Sequence, residues 1–213
     1  MRPHPRLAAY KKAKHIKAFS KSLQQIESDL QKLGTMDYDV EVASYSSSKS
    51  LLRRFFDPGY GDLEEALTIW TRVHGCPVEI AVPMGKAKVA LPFMMQVILP
   101  VPMTGRAEYR RGTFGSKWHV EPEDKSRVAD LKQTLPKVKM KQVQTSRQVP
   151  VQVTYDVKVG YTLEPTRDGR TEWVIHGGYE GGLLTGGNRP QVLKYLELIP
   201  AVEAMLSKWN QGR

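Results

Sequence analysis

Apolar residues occupy every second position between Val151 and Leu163. A period of two is typical of a β-strand with one buried face. At about 3.3 Å per residue this strand would be roughly 40 Å long. A turn at residues 166–169 and a second apolar stretch from Thr171 to Tyr179 follow it, which predicts a hairpin. This hairpin favours a fold built on an antiparallel sheet.

The segment from Leu7 to Gly34 is expected to form one long helix. Its apolar residues recur at intervals of three and four from Ile16 to Leu33, which predicts a face that docks on the core. Gly34 follows where a helix-ending glycine is typical. Five lysines lie in the first half, where the helix dipole is already positive and each charge costs about 0.3 kcal/mol: Lys11, Lys12, Lys14, Lys17 and Lys21. We expect this half to project, with a negatively charged partner against it.

The other patterns complete an α+β fold, in which a curved antiparallel sheet carries a long N-terminal helix and a packed C-terminal helix. We expect a basic N-terminal helix over residues 1–34 and an α+β domain over residues 35–213, with a basic inserted segment at about 104–147. The predicted elements are a strand over 36–46, helices over 49–56 and 62–74, strands over 77–84 and 87–101, a loop or hairpin over 104–120, a helix over 122–135, and a last helix from Arg189 with Asn188 as its N-cap and a kink at Pro200.

Positive charge is concentrated in two parts of this chain, whose net charge is +10. Residues 1–32 carry eight Lys or Arg against two acidic residues, and residues 105–147 carry eleven against five. Clustered positive charge indicates a polyanionic partner, although a solvated basic surface is the simpler alternative. Aromatic residues interleaved with the second cluster (Tyr109, Phe114, Trp118) are typical of single-strand binding, and the alternative is a solvated loop whose aromatic side chains pack on the sheet. The predicted polyanion-binding residues are Lys11, Lys12, Lys14, Lys17, Arg106, Arg110, Arg111, Lys137, Lys139 and Lys141.

These features favour a non-catalytic protein that binds nucleic acid, or an acidic protein surface, as a structural subunit of a larger assembly. No catalytic residue, metal ligand or cofactor is assigned, and the oligomeric state is left open. Another hypothesis is a Mg²⁺-dependent phosphoryl-transfer site on Asp37 and Asp39, which share a strand face with Glu41. The competing interpretation of these acids is cross-strand pairing with the lysine ladder at 137–141.

The single cysteine, Cys76, excludes a disulfide framework and a thiolate-rich zinc site. A Cys76 nucleophile beside His74 is a further alternative. The most apolar run, from Val89 to Met103, is too short for a membrane span and contains prolines. No secretory signal pattern is found in the first twenty residues. An intracellular location is therefore expected, in the cytoplasm or in a particle assembled there.

The segment "VTYDVKVGYTLEPTRDGRTEWVIHGGYEGG" (Val153–Gly182), followed by a long helix, resembles the end of helix-grip proteins of the START-like superfamily. The order of elements over residues 36–209 is also similar. In that superfamily a curved antiparallel sheet wraps a C-terminal helix around an apolar cavity. The resemblance implies a binder of a small apolar ligand or lipid, in a cavity lined by Phe93, Met95, Tyr155, Val157, Tyr161 and Trp173.

Overall fold

The structure is a computed structural model that describes residues 4–44, 63–85, 93–112, 115–135, 160–177, 179–180, 189–190 and 192–211. Its helices are a 3₁₀ helix over Pro5–Tyr10 and the α-helices α1 (Ile16–Lys32), α2 (Lys125–Thr134), α3 (Leu193–Leu196) and α4 (Ile199–Gln211). Its strands are β1 (Tyr38–Ser44), β2 (Leu63–Val73), β3 (Cys76–Gly85), β4 (Phe93–Leu99), β5 (Arg106–Gly112), β6 (Gly115–Glu121), β7 (Gly160–Pro165), β8 (Thr171–Gly177), β9 (Tyr179–Glu180) and β10 (Arg189–Pro190).

Eight strands form one curved, open sheet in the order β1-β2-β3-β4-β8-β7-β5-β6. Every neighbouring pair is antiparallel. β9 and β10 form a separate two-stranded ladder. The predicted α+β class, with helices at both ends of the chain and an antiparallel sheet, is confirmed.

One hydrophobic core joins the helices to one face of the sheet. Its largest fully buried side chains come from the sheet and from both terminal regions: Trp173, Tyr161, Tyr195, Phe19 and Phe93. Leu7 of the 3₁₀ helix is also fully buried in this core. The N-terminal residues therefore pack into the same core as the sheet. A small second cluster lies apart from this core, formed by Ala81, Met94 and Val174.

The single helix predicted over residues 7–34 is wrong in its first half. The 3₁₀ helix ends at Tyr10, turns follow, and α1 begins only at Ile16. The apolar face begins at Ile16, so residues 11–15 have nothing with which to hold a helix against the core. The N-terminal half does not simply project either, because Leu7 is buried. Lys11, Lys12 and Lys14 thus precede α1 instead of lying inside it.

The helix predicted over residues 62–74 is also wrong, because this segment is β2. Leu67 and Ile69 are buried on the core side of the strand. Ala66 and Thr68, which alternate with them, are buried on the other face. A central strand that is covered on both sides lacks simple alternation, and its short apolar run imitates a helix. Its Thr, Ile and Val residues are the β-branched types that favour strands.

The C-terminal helix begins later than predicted. Arg189 and Pro190 pair with Glu180 and Tyr179, and α3 begins at Leu193 with Val192 as its N-cap. Pro200 does not kink a continuous helix: it lies in the first turn of α4, where proline needs no hydrogen-bond partner.

Other predictions agree with the structure over the part that it describes. β3 and β4 coincide with predicted strands, the segment at 104–120 forms the β5–β6 hairpin, and α2 lies within the predicted helix. The hairpin after the long strand is formed by β7 and β8. The predicted helix over 49–56, Asn188, and most of the strand from Val151 lie outside the described residues.

Candidate polyanion-binding surface

Residues 11–17, here called the lysine turn, comprise the connection after the 3₁₀ helix and the first two residues of α1, and their lysines are exposed. Buried Leu7 anchors the chain before it, and the Ala13 amide donates a hydrogen bond to the Tyr10 carbonyl (2.9 Å). Lys11, Lys12 and Lys17 are exposed, and no described residue pairs with any of them. As far as the described residues are concerned, their ammonium groups are therefore available to an external anion.

The carboxylate of Glu65 fixes the end of the lysine turn. Its Oε1 accepts a hydrogen bond from the Lys14 amide (2.9 Å), and its Oε2 accepts one from the His15 amide (3.0 Å). Glu65 is only 4% exposed, so this charge is buried and satisfied by two main-chain donors. His15 is the N-cap of α1 and makes no capping bond through its own side chain. A strand residue thus caps the helix, and its negative charge lies at the positive end of the dipole.

Glu64 binds the side chains of the same two residues. Its carboxylate accepts from Lys14 Nζ (3.0 Å) and lies 3.3 Å from His15 Nε2. The hydrogen bond from Lys14 lowers the pKa of Glu64, with His15 adding to this effect and partial burial opposing it. Consecutive strand residues normally point to opposite faces, and here the register between β2 and β3 shifts between Leu63 and Glu65. The negative partner expected for Lys14 is therefore within the chain.

The β5–β6 hairpin places the second basic cluster at the other end of the sheet. Arg106 forms ion pairs with Glu108 (3.3 Å) and Glu164 (3.4 Å), so its charge is largely balanced. Arg110 and Arg111 belong to β5, opposite Lys117 and Ser116 of β6. The lysine ladder at Lys137, Lys139 and Lys141 lies outside the described residues.

The aromatic side chains of this hairpin pack on one another. Trp118 is 7% exposed, and its ring stacks on that of Tyr161 with centroids 5.8 Å apart and an interplanar angle of 8°. Tyr109 lies against both rings. Trp118 is thus a core residue and does not present a face on which a base could stack. Phe114 lies outside the described residues.

The described parts of the two basic clusters lie at different ends of the sheet. Glu64 and Glu65, which hold the lysine turn, belong to the second strand of the sheet, whereas β6 is the eighth. Six strand spacings separate them, or roughly 29 Å measured along the sheet. They are two surfaces, and a single partner would have to be extended to reach both.

Asp39 and Glu41 of β1, and Asp37 directly before it, are exposed at the β1 end of the sheet. Asp39 lies opposite Trp70 and Glu41 opposite Thr68, and neither position offers a further metal ligand. Within the described ranges, no three His, Cys, Asp or Glu side chains cluster closely enough to hold a metal ion. The Mg²⁺ hypothesis for Asp37 and Asp39 gains no support from this arrangement.

Four of the predicted cavity residues belong to the main core: Phe93, Met95, Tyr161 and Trp173 are each at most 1% exposed. Tyr195 contacts two of them, with ring centroids 6.1 Å from those of Phe93 and Tyr161. Tyr155 and Val157 lie outside the described residues.

The thiol of Cys76 is buried and donates a hydrogen bond to Glu203 Oε1 (3.0 Å). Burial and this hydrogen bond raise the pKa of Cys76 to about 12. The thiol is therefore protonated at neutral pH, which is the opposite of what a nucleophile requires.

The residues that sequence reasoning missed are Glu64 and Glu65. Their signal was present as a pair of acids beside an apolar run, but that run was interpreted as a helix over 62–74, with Glu65 in its first turn. Glu65 does cap a helix, and that helix is α1, some fifty residues earlier in the chain.

Comparisons of the chain with protein-family models, with curated proteins and with solved structures give no match. None of the helices that the structure describes is long and apolar enough to cross a membrane.

Proposed function

We propose that this protein is a non-catalytic nucleic-acid-binding protein that contacts phosphates through the lysine turn, as a structural component of a larger assembly. The observation that carries the proposal is the exposure of Lys11, Lys12 and Lys17 on the two sides of the Lys14 and His15 amides that Glu65 holds in place. The β5–β6 hairpin, with Arg110 and Arg111, supplies a second and separate contact.

The fixed main chain of the turn is what favours a binding role over a merely solvated surface. A binding segment that is already ordered loses less conformational entropy when its partner arrives. Lys14, which the turn also contains, is balanced by Glu64, so the net positive charge comes from the neighbouring lysines. Contacts of this kind read the phosphate backbone and carry no base sequence information.

The test is the salt dependence of binding to single- and double-stranded oligonucleotides, measured by fluorescence anisotropy. The variant replaces Lys11 and Lys12 by Glu; both precede α1, so helix stability is unaffected. We expect its affinity to fall about tenfold or more, and the slope of log K against log salt to fall by about 1.5–2, as for two lost phosphate contacts.

A matched control replaces Arg167 and Lys194, which are exposed on the β7–β8 turn and on α3, by Glu. It makes the same change in net charge and should bind nearly as tightly as the unmodified protein. The proposal fails if both double variants lose affinity equally, since that would indicate only an effect of overall charge. It also fails if the unmodified protein does not bind at about 50 mM salt, where phosphate contacts are strong.

A further inference from the structure

A groove of about 590 Å³ runs along the outer edge of β6. One wall consists of residues 117–121, which are consecutive in the strand. Because consecutive side chains point to opposite faces of a sheet, such a wall must be the strand's main-chain edge. The groove therefore presents peptide groups as well as side chains.

The opposite wall is one face of α2. Lys125, Val128, Ala129 and Lys132 line the groove, and their spacing of three, one and three residues places them on a single side of the helix. The far side of α2 is fixed by contacts with the rest of the protein. Arg127 Nη1 donates to the Thr104 carbonyl (3.0 Å), and Asp130 accepts from Lys208 and from the Trp209 indole (both 2.9 Å). The two walls are held apart, so the groove exists before any ligand arrives.

Among the described strands, β6 is the last in the sheet and its outer edge is unpaired. Its inner edge pairs with β5, and no strand among the described ranges pairs with the other edge. An edge strand of this kind offers alternating N–H and C=O groups to an extended chain. Adding a strand beside a helix is a recurring way in which domains bind peptides.

The charges of the groove are unevenly distributed. Glu121, Glu123 and Lys125 lie near the short connection from β6 to α2, which leaves one net negative charge there, while Lys117 and Lys132 come from the ends of the two elements that are far from it. Val128 and Ala129 make the middle apolar. Acidic side chains on the ligand would meet lysines, and small apolar ones would meet the middle of α2. A phosphate chain fits less well, because it cannot pair with a strand edge and would meet two carboxylates.

We propose that this groove binds an extended acidic peptide of a partner protein by β-strand addition to β6, with the peptide's carboxylates directed to Lys117 and Lys132. The site is separate from the lysine turn, which is held by β2 near the opposite end of the strand order. It therefore gives the protein a protein-binding surface in addition to its proposed nucleic-acid surface.

The test uses a fluorescein-labelled peptide of about nine residues in which Glu and Val alternate, a length that covers one strand. Binding is followed by anisotropy, and protection of the amides of residues 117–121 by hydrogen exchange. We expect saturable binding and slowed exchange in β6. A peptide of the same sequence that is N-methylated at alternate residues keeps its charge but loses main-chain donors, and should bind about tenfold more weakly or worse.

Two variants test whether the peptide binds in the groove. Replacing Lys117 and Lys132 by Glu should weaken binding about tenfold, whereas the Arg167→Glu, Lys194→Glu control should leave it unchanged. Ala129→Tyr fills the groove from an exposed position on α2 and should block binding without loss of thermal stability. Oligonucleotide affinity should persist in Ala129→Tyr, which separates this proposal from the preceding one.

Three results would overturn the inference. Equal binding of the N-methylated peptide would show attraction by charge without strand pairing. Protection of residues 117–121 by oligothymidylate and not by the peptide would assign the groove to nucleic acid. Protection that rises with protein concentration in the absence of any probe would assign it to a second copy of this chain.

Discussion

At the scale of single residues, Glu65 is the most informative side chain. It is a buried carboxylate whose two oxygens each accept a main-chain N–H, at a position where α1 has no capping side chain of its own. Hydrogen bonds to a charged group stabilise more than neutral ones, and loss of the acceptor leaves buried donors without partners. Glu65 therefore supports the fold and orients the lysine turn at the same time.

We expect Glu65→Gln to lower the free energy of unfolding by about 2–3 kcal/mol, because one of the two accepting oxygens becomes an NH₂ group, which is a donor and cannot accept from the main-chain N–H that faces it. Urea denaturation with tryptophan fluorescence measures the loss. Glu64→Gln is the matched control and should cost less, because Glu64 is partly exposed and binds side chains alone. Equal losses of unfolding free energy in the two variants would show that the main-chain hydrogen bonds to Glu65 stabilise the protein no more than the side-chain contacts of Glu64 do.

At the scale of elements, the contact between α2 and α4 depends on Asp130. Its carboxylate accepts from Lys208 Nζ and from the Trp209 indole, while Arg127 lies 5.0 Å from the centroid of the Trp209 ring. The hydrogen bond from Lys208 is the largest influence on Asp130 and lowers its pKa. Burial opposes this change, and the hydrogen bond from Trp209 adds to the lowering. The same contact positions the helical wall of the groove.

The lowered pKa of Asp130 predicts the pH dependence of this contact. A carboxyl group with a depressed folded pKa stabilises the protein above its unfolded pKa, at about pH 4, and loses that contribution as the pH falls through the folded value. We expect Asp130→Ala to cost about 1 kcal/mol at pH 7 and progressively less below pH 4, as measured by denaturation at a series of pH values. A cost that does not change with pH would indicate lost packing instead of a lost charge.

Elements with a clear local sequence pattern were predicted well. The α1 seam and the β7–β8 hairpin follow local periodicity, and the structure retains both. β2 was mistaken for a helix because β1 and β3 flank it and both of its faces are covered. The start of α1 was missed for a different reason: its cap is supplied by Glu65, and no local pattern contains a residue fifty positions away.

At the scale of the whole molecule, the N-terminal residues belong to the sheet's core. Leu7 is fully buried in the same cluster as Phe19 and Trp173. The predicted boundary between a basic helix and an α+β domain at residue 34 was based on charge, which is a surface property. Burial of the N-terminal segment depends on long-range contacts, which composition does not report.

We therefore expect Leu7→Ala to destabilise the entire protein by about 2–5 kcal/mol, and the unfolding transition to remain single. Denaturation followed by both circular dichroism and tryptophan fluorescence tests this, because the tryptophans lie in the sheet and α4. A variant in which the helical signal alone changes would show that the N-terminal segment unfolds independently. Ala9→Gly, at an exposed position of the same 3₁₀ helix, is the control.

The hydrogen bonds from the Lys14 and His15 amides to Glu65 also affect the order of events during synthesis of the chain. Lys14 and Glu65 are 51 residues apart, and a ribosome adds about 5–20 residues each second. Several seconds therefore pass between the synthesis of α1 and the arrival of the side chain that closes its first turn, whereas a helix forms within about a microsecond. During that interval α1 can fray and re-form many times over. Its starting residue is settled only when the second strand has been made and has joined the sheet.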